Sequence, residues 1–165
     1  MQKSKWLWLL AAPAIWLLDY FTKVWAMREL DASRRSIELV AGYLDFSYAE
    51  NTGVAFGIFD SVESAWKPFL LAALGLVAVA VILVYYWKSP ANQRLLLLAL
   101  GVVTGGIVGN LTDRVLRGYV VDFIEVHIRD AFYWPNFNVA DSAITVGIAL
   151  LLIDTFLHSR ESLAK

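Results

Sequence analysis

An α-helical polytopic membrane protein, with four transmembrane helices and a small β-rich extracytoplasmic cap, is expected from three features of this chain. It is 59% hydrophobic over 165 residues, with a mean hydropathy of +0.58. It holds uncharged runs long enough to cross a bilayer, whose hydrocarbon core takes roughly 20 apolar residues per helix. Most of its tryptophans fall near the ends of those runs, where an amphipathic ring sits at the level of the lipid headgroups.

The first span is read over residues 6–27, which are apolar except for Asp19 and Lys23. Lys3 and Lys5 precede it, and Ala12-Pro13-Ala14 imitates a signal-peptide cleavage site. The apolar run continues through Ile15, Trp16, Leu17 and Leu18, longer than a cleavable core, so the segment is expected to stay as an anchor. In Tyr43 to Ala49, Leu44, Phe46 and Tyr48 alternate with Asp45, Ser47 and Ala49, which is strand periodicity. The second span covers residues 68–87 and the third residues 95–112, both without a charge. Val120 to Ile128 is rich in β-branched and aromatic residues and reads as a second strand. The fourth span, residues 142–157, carries Asp154 near its far end. Trp6, Trp8, Trp25, Trp66, Trp87 and Trp134 mark boundaries, and Trp16 alone is mid-span. With no repeat, low-complexity tract or flexible linker, residues 1–165 read as a single membrane-embedded domain.

Four spans put both termini and the loop from Lys88 to Arg94 on one side. Basic residues are dense in these short segments, the pattern that marks the cytoplasmic face. Residues 28–66 and 113–141 then lie outside. Polar residues gather toward that outer side: Asp19, Lys23, Asn51, Asn110, Asp113, Arg114, Asp122, Glu125, Asn136, Asn138, Asp141 and Ser142. Ionisable groups at membrane depth are costly and are kept mainly where they function. Elements far apart in sequence can thus build one site near the boundary of lipid and outer water.

Several of these residues also have ordinary structural readings. Asp19 and Lys23, four apart, share a helical face and could simply neutralise one another. Gly101, Gly105 and Gly109 form a ridge of small residues on the third span that lets another helix approach closely. Asn110 and Arg114 continue that ridge. Asp141 could serve only as the N-cap of the fourth span. Asp122, inside a β-prone run, has no such explanation. Two aspartates brought close share a proton and titrate as a coupled pair. One can take a proton from water while the other gives one to a carbonyl oxygen, which amounts to peptide hydrolysis without a covalent intermediate.

Other chemistries are poorly supplied. There is no cysteine, which removes thiol nucleophiles and disulfides. The two histidines, His127 and His158, fall on opposite sides of the expected topology, which disfavours a metal site or a Ser/His dyad. No phosphate-cradling loop or dinucleotide fingerprint occurs, so no cofactor is expected. A net charge of −1 argues against nucleic acid.

Asp19-Tyr-Phe-Thr-Lys23, Asn51-Thr-Gly-Val-Ala-Phe56, Gly106-Ile-Val-Gly-Asn110-Leu-Thr-Asp113-Arg114, Gly118-Tyr-Val-Val-Asp122-Phe123 and Phe137-Asn138-Val-Ala-Asp141 resemble, in order, the signature boxes of bacterial lipoprotein signal peptidases, also called signal peptidase II. The resemblance implies an inner-membrane aspartyl endopeptidase. Such an enzyme removes the signal peptide from prolipoproteins, cutting before the cysteine that carries diacylglycerol. It further implies Asp122 and Asp141 as the catalytic pair. Asn51, Asn110, Arg114 and Asn138 would line the site and hold substrate or catalytic groups, with Asp19 and Lys23 as a supporting pair. The expected partners are the lipid-modified substrate and membrane lipid, with the enzyme working as a monomer. Two other readings stand beside this one. A small transporter subunit would need polar residues through the inner leaflet, where the second and third spans have none. A non-catalytic lipid-binding or assembly protein would tolerate loss of either aspartate.

Overall fold

The computed structural model describes residues 3–31, 36–53 and 66–163. Two helices in series open the chain, α1 (Lys3–Leu9) and α2 (Ala11–Ala26), and a π-helical turn, Met27–Asp31, extends the second. The interruption at Leu10 has a local cause. Pro13 has no N–H to give the carbonyl of Leu9, so the ladder breaks one turn before it. Helix α3 spans Lys67–Lys88, α4 spans Arg94–Arg117 and α5 spans Val139–Leu163. Four helical segments are long and apolar enough to cross a membrane: Lys5–Leu30, Lys67–Lys88, Arg94–Arg117 and Val139–His158.

Helices α4 and α5 run further toward the site than the spans expected at 95–112 and 142–157. Helix α4 passes Thr112 by more than a turn, since Asp113 and Arg117 pair across one turn of it. It stops at Gly118, whose left-handed φ of 83° is the conformation that suits glycine, and whose N–H returns to the Arg114 carbonyl. Helix α5 begins three residues before Ser142. Asn138 caps it: Asn138 Oδ1 accepts the Asp141 N–H at 2.9 Å, while Asp141 Oδ2 accepts the Asn138 N–H at 3.2 Å. This reciprocal pair is a capping box. Asp141 is therefore inside the first turn and is not itself the N-cap.

The cap is a four-stranded antiparallel sheet in the order β1 (Ile37–Val40), β2 (Leu44–Asn51), β3 (Val120–Ile128) and β4 (Phe132–Tyr133). The two expected strands are present as β2 and β3. Between Phe46 and Ala49 their register shifts, which breaks the simple alternation read from the sequence. Strands β1 and β4, four and two residues long, were not expected.

Helix α4 is central, and α2, α3 and α5 pack around it. Most of its apolar stretch is buried inside the protein, whereas almost none of that of α3 is. Glycines on two of its faces permit this. A Cβ on Gly101 would lie 2.6 Å from the Trp8 carbonyl oxygen, and one on Gly105 equally close to that of Ala12. A Cβ on Gly106 would come within 2.5 Å of the Ala140 oxygen, so this glycine serves the approach of α5. At one end of the bundle, Tyr86 donates to the Lys5 carbonyl at 2.5 Å, and Trp6 meets Trp87 edge-on at 5.1 Å. At the other end, Trp25, Phe46 and Phe123 form an aromatic trio with centroids 5.4–6.2 Å apart. With Ala26, Leu30 and Val121, this trio joins the sheet to α2.

Gly105→Ala is expected to destabilise the bundle by about 1–3 kcal/mol, since its Cβ would press on the backbone of α2. Gly75→Ala serves as the control: its Cβ would find only ordinary contact, 3.7 Å from Ile107, so stability should hold or rise slightly. Thermal unfolding of the two variants in the same detergent checks this.

Candidate active site

Five elements deliver the expected site residues to the end of the bundle beneath the sheet. Asp19 and Lys23 come from α2, Asn51 from β2, and Asn110 and Arg114 from α4. Asp122 comes from β3, while Asn138 and Asp141 come from the start of α5. Gly109 makes room among them, because a Cβ there would lie 2.5 Å from Asp19 Oδ2.

Asparagine amides hold both aspartates. Asp122 Oδ1 accepts from Asn138 Nδ2 at 2.6 Å, and Asp122 Oδ2 accepts from Asn51 Nδ2 at 2.9 Å. Asp141 Oδ1 accepts from Asn110 Nδ2 at 2.8 Å, while its Oδ2 takes the Asn138 backbone N–H. Asn138 thus touches both carboxylates, one through its side chain and one through its main chain. An amide is well suited to this place, because it offers donors to a carboxylate on one edge and an acceptor on the other. The acceptors are used as well: Asn110 Oδ1 receives Lys23 Nζ at 2.9 Å and Asn138 Nδ2 at 3.2 Å, and Asn51 Oδ1 receives the Gly53 N–H at 2.9 Å.

The two aspartates differ in environment. Asp122 is 2% exposed and Asn138 fully buried, whereas Asp141 is half-buried. Burial, and after it the charge of Asp141, push the Asp122 carboxyl up to about 7 against the downward pull of the Asn51 and Asn138 hydrogen bonds and of Lys23. A carboxyl so placed holds a proton near neutrality, and the second carboxyl of the same hydrogen-bonded unit is more open to solvent.

Lys23 pairs with Asp19 at 2.8 Å, as its spacing foretold, and also with Asp113 of α4 at 3.0 Å. In the sequence Asp113 stands among the unusual polar residues and inside the third signature box, without a role of its own. Its sign was present, since it lies three residues after Asn110 and four before Arg117, on faces of α4 that meet α2 and β3. Arg114 follows the glycine ridge as expected. Among the described residues its guanidinium bonds to carbonyl oxygens, Gly53 at 3.1 Å and Asn110 at 3.4 Å, and so ties α4 to the chain after β2. The Val54-Ala55-Phe56 part of the second sequence box lies outside the described residues. A further polar group, Ser47 with Glu125 at 2.5 Å and Asn136 at 2.8 Å, sits on the sheet away from the two aspartates.

The chain is also similar to known proteins. The model of the family described as signal peptidase (SPase) II matches residues 11–157. A lipoprotein signal peptidase of Dichelobacter nodosus (strain VCS1703A) is 44% identical over 152 residues, covering 92% of this chain and 94% of the relative. One from Ectopseudomonas mendocina (strain ymp) is 40% identical over 155 residues, covering 94% and 90%. Among solved structures, a bacterial membrane enzyme determined at 2.3 Å by the in meso method superposes with a TM-score of 0.76 at 26% identity, covering 93% of this chain and 89% of the other. Family match, near-complete relatives and the shared fold extend over the same residues that carry the site, and the chain belongs to the signal peptidase II family.

Proposed function

We propose that Asp122 and Asp141 are the two carboxylates with which this member of the signal peptidase II family hydrolyses its substrate. Family membership makes the chain an aspartic peptidase that removes signal peptides from prolipoproteins, and the transporter and lipid-binding alternatives are not favoured. The finer reading is that it cuts before a cysteine bearing diacylglycerol and that it works as a monomer. In that reading the site also lies near the periplasmic face of the inner membrane, with both termini cytoplasmic. The observation that carries the assignment is the single hydrogen-bonded unit of Asp122, Asn138 and Asp141, with its two carboxyls in unlike surroundings. In the working state the pair holds one proton, on Asp122. Asp141 takes a proton from water as the water attacks the scissile carbonyl, and Asp122 gives its proton to the carbonyl oxygen; the gem-diol then collapses as Asp141 gives its proton to the leaving nitrogen, the C–N bond breaks and Asp122 takes back a hydroxyl proton. Asn51, Asn110 and Asn138 keep the two carboxylates at fixed bearings, and Arg114 holds the segment after Asn51 in place. A lipid anchor on the substrate would keep the scissile bond at the depth of this pair.

Asp122→Asn and Asp141→Asn should each lower kcat by about 10³-fold, within the range for losing a general acid or base. The assay is cleavage of a synthetic diacylglyceryl lipopeptide by purified enzyme in detergent, with the unlipidated peptide as comparison. Retention of more than a tenth of wild-type kcat in either variant would sink the assignment.

The raised Asp122 carboxyl makes two further measurements informative. Activity should fall as pH rises through about 7, where Asp122 loses the proton it donates. The same group makes stability depend on pH. Its folded value lies above the ordinary 3.8, so its contribution is fully present below about 4 and is lost as pH rises through about 7. Asp122→Asn removes that loss. Its unfolding temperature should exceed that of wild type at pH 8, while the two converge near pH 4.

Orientation is open to a clean test because the chain has no cysteine. Asn92→Cys, between α3 and α4, should resist a membrane-impermeant maleimide in spheroplasts, and Asp130→Cys, beyond β3, should label. The opposite pattern would invert the topology.

A further inference from the structure

Two buried carboxylates outside the candidate pair make matching bonds to the backbone. Asp19 Oδ1 accepts the N–H of Ala140, the residue before Asp141, at 2.9 Å. Asp113 Oδ2 accepts the N–H of Val121, the residue before Asp122, at 3.1 Å. One lysine joins them: Lys23 Nζ lies 2.8 Å from Asp19 Oδ2 and 3.0 Å from Asp113 Oδ2. Its third donor goes to Asn110 Oδ1 at 2.9 Å. All three protons of the ammonium are thereby matched by acceptors.

We propose that Asp113, Lys23 and Asp19 form a positioning yoke, in which each carboxylate sets one candidate catalytic aspartate through the preceding backbone N–H and Lys23 fixes the distance between the two. This rests on the assignment of Asp122 and Asp141 given above. Asp113, to which no role in the reaction has been given so far, is the arm that places Asp122. It touches neither candidate carboxylate and acts through Val121.

A plain neutralising pair would explain less. Asp19 alone satisfies the charge of Lys23, and a second carboxylate adds a negative charge that must itself be balanced. Arg117, bonded to the other oxygen of Asp113, supplies that balance. The four groups carry two charges of each sign, and Asp19, Lys23 and Asp113 are each at most 2% exposed. Burying ions costs more than apolar packing of the same helices would, so the arrangement gains geometry at the expense of stability. The lysine also settles the direction of Asn110. Because Nζ donates to Oδ1, the NH₂ edge must face Asp141, and the opposite rotamer would set donor against donor.

The yoke predicts a loss of turnover without loss of substrate binding. Asp113→Ala frees the N–H of Val121 and one proton of Lys23. Its kcat per folded molecule should fall at least 30-fold, with KM within twofold of wild type, in the lipopeptide assay. Asp113→Asn keeps an oxygen that can receive Val121 and Lys23, so it should recover at least tenfold of that loss. Asp19→Ala should resemble Asp113→Ala. The double variant should be far less than multiplicatively worse, because both arms act through one lysine. Folded protein is counted by size-exclusion and thermal unfolding in detergent, and Asp113→Asn, nearly isosteric, keeps the test alive if the alanine variant does not fold. A kcat within threefold of wild type in folded Asp113→Ala overturns the yoke, and so do Asn and Ala variants with equal kcat per folded molecule. In both cases wild type cleaves and Asp122→Asn does not, so the assignment of the pair survives. Cleavage by Asp122→Asn at the wild-type rate would overturn both.

Discussion

An ammonium group buried in a helix bundle costs several kcal/mol unless each of its protons meets an acceptor. Lys23 meets this condition with one acceptor from its own helix and two from α4. Much of the site end of the molecule follows from that demand. Asp113 and Asn110 must stand three residues apart on α4 to face the same nitrogen. Helices α2 and α4 must approach until Gly109 touches the Asp19 carboxylate, where no larger residue fits. The glycine ridge and the ion cluster are thus two parts of one requirement. Close backbones bring the charges together, and the charges forbid any other register of the two helices.

From this centre the polarity of each amide is determined outward. Lys23 orients Asn110, which then presents donors to Asp141. The capping box commits Asn138 Oδ1 to the Asp141 N–H, so its NH₂ group turns to Asp122. Asn51 is committed in the same way by the Gly53 N–H. None of the three could be aspartate without placing carboxylate against carboxylate. A glutamine would add a methylene where the distances are already at hydrogen-bond contact. The cap of α5 therefore serves two ends at once, starting the helix and aligning a carboxylate, and Asp141 inside the first turn is also well placed to interact with the helix dipole.

The sequence made the four spans legible because apolar length is a strong signal, and it made β2 and β3 legible by residue type. It left their ends uncertain for a physical reason. Hydropathy marks where an apolar run ends, whereas α4 and α5 continue past that point on ion pairing and capping, which depend on partners elsewhere in the chain. Strand β4 was invisible because two residues have no period. The site residues were legible as a set, since each is polar where polarity is costly. Their wiring was not. Nothing local to Asp113 says that it reaches the N–H of Val121, a contact made possible only by the turn at Gly118. The role of Asp141 was ambiguous for the opposite reason: Asn138 and Asp141 are both good capping residues, and only their mutual geometry shows which caps and which is held.

The candidate pair is split between a strand and a helix, and this makes the joint between sheet and bundle part of the candidate site. Asp141 belongs to α5, packed along α4. Asp122 belongs to β3, which reaches the bundle through Val121, Phe123 and the aromatic trio with Trp25 and Phe46. Apolar packing of this kind resists separation but is weakly directional, so it holds β3 near the bundle without setting the last few tenths of an ångström. The directional contacts are the bonds from Asn51 and Asn138 to the side chain and from Asp113 to the backbone beside it. General acid–base transfer works only at hydrogen-bond range, so a strand held by hydrophobic contact alone would leave the acid poorly placed. The buried ions and amides therefore supply directional definition to a joint whose adhesion comes from aromatic packing.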